Sequence, residues 1–177
     1  MSRPLRIQFE GATYHVFSKG NMGETIFRDN HEKSIFLRWL GKGAEKYKVD
    51  IYAYCIMKNH YHLLIQTQES NLSEFMHFLL SSYASYISRK GWEGHVFARR
   101  YSALLVEEEA YLLTVSRYVH LNPVAAGIVR MPEDYYWSSY SSYLNYEETP
   151  AWLKKEWITE YFGPGCKNSE LEYREFV

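Results

Sequence analysis

Apolar and polar positions alternate, then recur at helical spacing, then alternate again along this chain. The stretch from about Thr13 to Ser18 reads as a first strand, and Lys19-Gly20-Asn21-Met22-Gly23 has turn chemistry. Asp29 can cap a helix running to about Tyr47, whose apolar face is Ile35, Phe36, Leu40, Ala44 and Tyr47. Val49 to Ile56 is rich in β-branched and aromatic residues, Met57-Lys58-Asn59 is a short connection, and Tyr61 to Thr67 alternates again. Together they predict an antiparallel hairpin. Asn71 or Ser73 then caps a long helix to about Lys90, with a stripe of Leu72, Phe75, Met76, Leu79, Leu80, Tyr83 and Tyr86. A loop from Gly91 to Arg100 leads into a strand from Tyr101 to Val106, and a third helix runs from about Glu108 to Leu121. Asn122-Pro123 should end that helix, because a residue before proline disfavours the α conformation. The same pair fits the cap and first position of a short further helix, Val124 to Val129. Trp137 to Phe162 suggests helical pieces, and the residues from Pro164 onward look loosely ordered.

The order strand, helix, strand, strand, helix, strand, helix predicts an α+β fold. It is a ferredoxin-like split βαβ arrangement, one antiparallel sheet with helices packed on it. The pattern divides the 177 residues into a main domain over 1–146 and a helical C-terminal appendage and tail over 147–177.

Composition changes this picture only slightly. A 46% hydrophobic and 23% charged chain of this length can bury a core without staples. Seventeen tyrosines against nine phenylalanines supply rings with a polar tip, suited to packing and also to stacking on bases. The net charge of −1 argues against strong non-specific duplex binding, although a local basic patch can serve on an otherwise acidic surface. Cys55 and Cys166 have no metal-type spacing, and no apolar run approaches membrane-spanning length. The expectation is a soluble protein of a reducing compartment, with no membrane partner.

The sharpest candidate chemistry is His60-Tyr61-His62. On a strand, alternate side chains share a face, so the two imidazoles project together, on the side expected to face solvent, while Tyr61, Leu63 and Ile65 point the other way. Such a pair can grip one divalent ion; two histidines satisfied by local hydrogen bonds would leave the same spacing. Tyr118 and Asn122 form a second pair, one helical turn apart on one face. A packed ring and a helix cap are the alternatives there. Lys19, Lys58, Arg99, Arg100, Arg117 and the N-terminal Arg3 and Arg6 could contact phosphates or be ordinary surface charge. The remaining histidines, His15, His31, His77, His95 and His120, have no partner at metal-ligand spacing and read as structural or exposed.

Several stretches in order carry a resemblance. They are Arg3-Pro4-Leu5-Arg6 with Gly11-Ala12-Thr13-Tyr14-His15-Val16, then Ala53 through Ile65, then Asn71-Leu72-Ser73. Next come Gly94-His95-Val96-Phe97 through Arg100-Tyr101, Tyr111-Leu112-Leu113, Arg117 through Gly127, and Trp137-Ser138-Ser139-Tyr140. In these the chain resembles single-tyrosine transposases of the His-hydrophobe-His (HUH) superfamily, and within them the REP-associated tyrosine transposases of bacteria.

The resemblance implies the HUH endonuclease architecture in residues 1–146 and a metal-dependent activity on single-stranded DNA beside hairpins. It implies a covalent 5′-phosphotyrosine, with Tyr118 as nucleophile and His60, His62 and Asn122 holding magnesium or manganese. It further implies a bacterial cytoplasmic, nucleoid-associated protein acting as monomer or homodimer. Arg99-Arg100-Tyr101-Ser102 lacks the glycine before arginine and the lysine after tyrosine that many relatives show. Two rivals stand beside this reading: a non-catalytic single-strand binder on a sheet like that of RNA-recognition modules, and a zinc hydrolase, which would want a third strong ligand.

Overall fold

The computed structural model describes residues 7–107, 109–145, 148–162 and 169–177, with only the backbone at 109 and 110. Four strands, β1 (Thr13–Lys19), β2 (Val49–Ile56), β3 (His60–Thr67) and β4 (Ser102–Val106), form one sheet in the order β2-β3-β1-β4. Every pairing is antiparallel. Helices α1 (Asn30–Tyr47) and α2 (Leu72–Arg89) separate the strands as the pattern predicts. The expected α+β, split βαβ sheet is the fold found.

Alternation decides which side chains face which layer. Tyr14, Val16, Tyr61, Leu63 and Ile65 are all buried, on the face that packs against α1 and α2. Phe36 of α1 meets the Tyr61 ring at 5.0 Å and the Tyr83 ring of α2 at 5.3 Å, joining both helices to the sheet. Asp29 caps α1 as expected, its carboxylate accepting the Glu32 N–H at 2.8 Å. Asn71 occupies the cap position of α2 but does not cap it. Its amide donates to the Tyr47 carbonyl at 2.8 Å instead, closing the end of α1, and Gln8 takes over by accepting the Ser73 N–H at 2.7 Å.

The third helix departs from the sequence reading. α3 runs from Glu109 to Ala125 with Pro123 inside it, rather than stopping at Asn122. Proline removes one N–H and crowds the carbonyl four residues back, yet only Val124 and Ala125 follow it within the helix. The chain then turns out at Gly127 (φ 67°), where Gly127 N–H reaches Val124 O and Ile128 N–H reaches Pro123 O. That is a Schellman ending, and it takes the place of the separate helix expected over Val124 to Val129. Asn122 is therefore a helical residue in the last turns of α3 and not a cap.

The C-terminal part is also more ordered than its composition suggests. Short helices α4 (Tyr140–Tyr143), α5 (Trp157–Phe162) and α6 (Ser169–Phe176) follow α3, so the expectation of a loose end from Pro164 fails over Ser169–Phe176. Tyr173 of α6 is fully buried against the rings of Tyr140 and Tyr143. The segments around Ser138 and Leu153 also pair with the outer edge of β2, through bridges Cys55↔Ser138 and Ile51↔Leu153. They cover an edge that would otherwise present unpaired backbone groups. No helix among the described residues is long and apolar enough to cross a membrane.

Candidate active site

The second face of the sheet, opposite α1 and α2, carries His60 and His62 on β3 and His15 and Phe17 on β1. Phe17 lies directly across from His62, and Lys19 across from His60. α3 crosses this face, touching β2, β3 and β4. It follows that His62 is not solvent-facing, as the sequence suggested, but only 6% exposed, while His60 is half-buried. The strand alternation was read correctly; the expectation of solvent failed because a helix covers that face too.

Tyr118 lies on α3 above these rings. It stays 54% exposed, yet its ring stands edge-on to His62 at 5.5 Å and to His15 at 5.6 Å between centroids. One turn on, the Asn122 side chain lies close enough to the His60 ring to influence its charge and donates its amide to the Tyr118 carbonyl at 3.0 Å. The two pairs singled out from spacing, His60/His62 and Tyr118/Asn122, are thus brought together in one place.

His15, set aside in the sequence reading, belongs to the same cluster. Its Nε2 lies 2.9 Å from His62 Nδ1, and the two rings stack at 5.2 Å. Strand alternation alone would have put His15 on a face with Phe17. The register of β1 against β3, which brings it beside His62, is a pairing of strands distant in sequence, and no local signal carries it.

Burial controls the charge state here. His62 is pushed down to about 3, first by desolvation and then by the neighbouring His15 and His60. His15 falls to about 4 by desolvation. His60 is lowered as well, chiefly by burial, against the opposing pull of the neighbouring Asn122 side chain. Three neutral imidazoles with lone pairs therefore meet at the foot of Tyr118. His60 Nδ1 is engaged by Asn59 Oδ1 at 2.7 Å.

The basic residues divide. Lys19 is exposed at the end of β1 beside His60. The Ala98 N–H donates to the Lys19 carbonyl at 3.0 Å, so the exposed Arg99 and Arg100 leave the loop at the same end of the sheet. Lys58 is exposed in the β2–β3 connection, just before His60. Arg117 turns away from this group, its guanidinium resting over the Phe176 ring of α6 at 5.2 Å. Arg3 and Arg6 lie outside the described residues.

Beneath α3 lies a network that sequence reasoning did not anticipate. Fully buried His120 hydrogen-bonds Ser139 Oγ through Nε2 at 2.8 Å and the Tyr173 hydroxyl through Nδ1 at 2.7 Å. That hydroxyl also reaches Ser116 Oγ at 3.0 Å, while Ser139 Oγ accepts the Tyr54 N–H at 2.9 Å. The helix bearing Tyr118 is in this way tied to α6 on one side and to β2 on the other.

A family model of IS200-like transposases matches residues 8–122. Among solved structures, a REP-associated tyrosine transposase bound to a REP hairpin superposes with a TM-score of 0.73 at 15% identity, over 87% of this chain and 92% of that one. A protein from Deinococcus radiodurans R1 assigned as a transposase gives a TM-score of 0.46 at 17% identity, over 67% of this chain and 95% of that one. The tRNA(His) guanylyltransferase of Saccharomyces cerevisiae gives 0.47 at 13% identity, over 97% of this chain and 79% of that one. Neither of these two bears on function, and no curated protein matches. The family match spans β1 through Asn122 and so takes in both histidines of β3 and the tyrosine above them: the chain belongs to the IS200-like transposase family, with the fold of a REP-associated tyrosine transposase.

Proposed function

We propose that this enzyme nicks and rejoins single-stranded DNA beside hairpins, with Tyr118 as the attacking group. The observation that carries the reading is the position of Tyr118, exposed to solvent yet edge-on to His62, with Asn122 on the His60 ring one turn away. A core tyrosine would be buried, and a purely exposed one would have no reason to stand over imidazoles. The REP hairpin bound by the structural neighbour supports a hairpin DNA as partner.

The donor set suits a hard divalent ion. His60 and His62 are neutral and offer nitrogen lone pairs, and Asn122 can offer an amide oxygen, with water completing the shell. Among the described residues no three of His, Cys, Asp or Glu are placed to hold one metal ion: His15 joins the cluster but meets the ring nitrogen of His62 at 2.9 Å, so the third strong ligand of a zinc hydrolase is lacking there. Magnesium or manganese is therefore the ion proposed. Bound there, it supplies charge neutralisation at the phosphate as a Lewis acid, worth several kcal/mol.

The chain's own residues do the rest. Tyr118 Oη attacks phosphorus and its O–P bond forms as the P–O3′ bond breaks. The tyrosine gives up its proton, the departing 3′ oxygen gains one, and a 5′-phosphotyrosine remains. The covalent link conserves the bond, so rejoining by the reverse attack needs no ATP. Lys19, Lys58, Arg99 and Arg100 hold the strand by its phosphates. Residues 1–146 carry the chemistry in this reading and 147–177 brace α3. The setting proposed is the bacterial cytoplasm, on nucleoid DNA.

The single-strand-binder rival needs an open sheet face for stacking, whereas α3 lies over the histidine face and α1 and α2 over the other. The deciding experiment incubates labelled hairpin DNA with manganese and resolves the products on a denaturing gel. Wild type should give a covalent protein–DNA band and Tyr118→Phe none, with binding retained in both. A band surviving in Tyr118→Phe, or mapped to another tyrosine, would refute the assignment.

A further inference from the structure

We infer that His15 is a positioning residue for His62: it accepts the Nδ1–H of His62 and so presents the other ring nitrogen, Nε2, as the ligand atom. The inference rests on the metal reading of His60 and His62.

A neutral imidazole has one N–H and one lone pair, and only the lone pair can bind an ion. Which nitrogen is free depends on what holds the other. His60 gives the pattern. Its Nδ1 meets the Asn59 side-chain oxygen at 2.7 Å, and that oxygen can only accept, because the Asn59 amide nitrogen is turned to the Gly23 carbonyl at 3.4 Å. His60 therefore carries its proton on Nδ1 and keeps the Nε2 lone pair, on a ring that also meets Asn122.

Among the described residues, no amide side chain hydrogen-bonds His62 in this way, and the His62 Nδ1 has one polar neighbour at hydrogen-bond distance, His15 Nε2 at 2.9 Å. His15 sits diagonally across the β1–β3 pair, since Phe17 is opposite His62 and Leu64 opposite His15. Diagonal neighbours on antiparallel strands are within reach of ring side chains. Either ring of the pair can donate. If His15 donated, His62 would hold its proton on Nε2 and could not ligate through it. If His62 donates, both β3 histidines offer the same nitrogen. Metal-bound histidines are generally fixed in this way by a partner on the second nitrogen, most often an oxygen; here a buried imidazole takes that part. Phe17, stacked on His62 at 5.8 Å, and Tyr118, edge-on at 5.5 Å, leave the ring little room to turn.

The test uses the full chain without DNA and has two readouts. Long-range nitrogen–proton NMR of the metal-free protein reports the His62 tautomer, expected as Nδ1–H in wild type and lost in His15→Leu. Calorimetry with manganese should show affinity falling about 10–100-fold in His15→Leu. Affinity should return in His15→Gln, whose side-chain oxygen can accept the same proton. If His15→Leu does not fold, wild type and His15→Gln still decide the matter by tautomer and affinity. An Nε2–H tautomer in wild type overturns the inference, as does unchanged affinity in His15→Leu. Affinity in His15→Gln as poor as in His62→Ala also overturns it, since His15 would then be a ligand itself. If wild type bound no manganese while His62 was Nδ1–H, the metal reading would fail and the positioning contact would stand.

Discussion

Lowering the pH from 7 to 5 should cost this protein stability through one buried histidine away from the proposed metal site. His120 is fully buried and its pKa is held at about 3 by desolvation, against an ordinary value of 6.5. In the unfolded chain it takes up a proton below about pH 6.5, while in the folded chain it stays neutral. The unfolded state therefore binds more protons between those limits, and stability rises with pH across the window and falls as pH drops. At pH 5 the unfolded side chain is 1.5 units below its pKa, which at about 1.36 kcal/mol per unit gives a loss of about 2 kcal/mol. The folded structure cannot recover this by protonating His120, because Nε2 faces Ser139 and Nδ1 faces Tyr173 in a shell of aromatic rings. The assay is urea denaturation at pH 7 and pH 5 for wild type and His120→Gln. Other groups titrate in both proteins, so the informative quantity is the difference: wild type should lose about 2 kcal/mol more than the variant. Equal losses would show that His120 is not held neutral, and the burial argument for it would be wrong.

Other perturbations follow from the same geometry. Tyr173→Phe removes the hydroxyl shared by His120 Nδ1 and Ser116 and should destabilise by about 1–3 kcal/mol by leaving a buried nitrogen unpartnered; a thermal melt within 1 °C of wild type would contradict this. Gly41→Ala places a Cβ 2.5 Å from the Trp152 indole, and should cost about 1–3 kcal/mol and alter tryptophan fluorescence. Asp29→Ala should cost about 1 kcal/mol by uncapping α1, measured by denaturant midpoint, with no effect on DNA joining. His60→Ala and His62→Ala should each abolish the covalent DNA adduct while the circular dichroism spectrum stays that of wild type; an adduct at the wild-type rate with manganese would dismiss the ligand assignment.

The parts of this fold that local pattern dictates were legible. The alternation of His60 to Thr67 and the stripe from Leu72 to Tyr86 predict β3 and α2 because each period fits one geometry. The i, i+4 spacing of Tyr118 and Asn122 survives because α3 runs through Pro123. The expected stop there came from weighing a local proline preference without the packing that buries Pro123. What could not be read was set by distant pairing. His15 reaches His62 only through the β1–β3 register, and His120 meets Ser139 and Tyr173 only because the C-terminal segment returns across α3. A fully buried Tyr173 near the chain's end is invisible to a reading that sees polar, glutamate-rich surroundings and expects solvent.

These non-local contacts explain how one tyrosine among seventeen can be both reachable and fixed. A nucleophile must be exposed to meet a phosphate, but exposure usually allows a side chain and its helix to move, and small misplacements are costly in rate. α3 separates the two demands by face. Val119, His120, Ser116 and Pro123 are buried and hold the helix to β2 and to α6, while Tyr118 projects at 54% exposure from the same turn. Arg117, turned onto Phe176, adds a surface contact on the C-terminal side. The sheet contributes the rest: rigid β3 sets the spacing of His60 and His62, and β1 supplies His15 beneath Tyr118. On this argument the C-terminal helix acts on the proposed chemistry without touching it, by fixing the helix from which Tyr118, as the proposed nucleophile, would reach the phosphate.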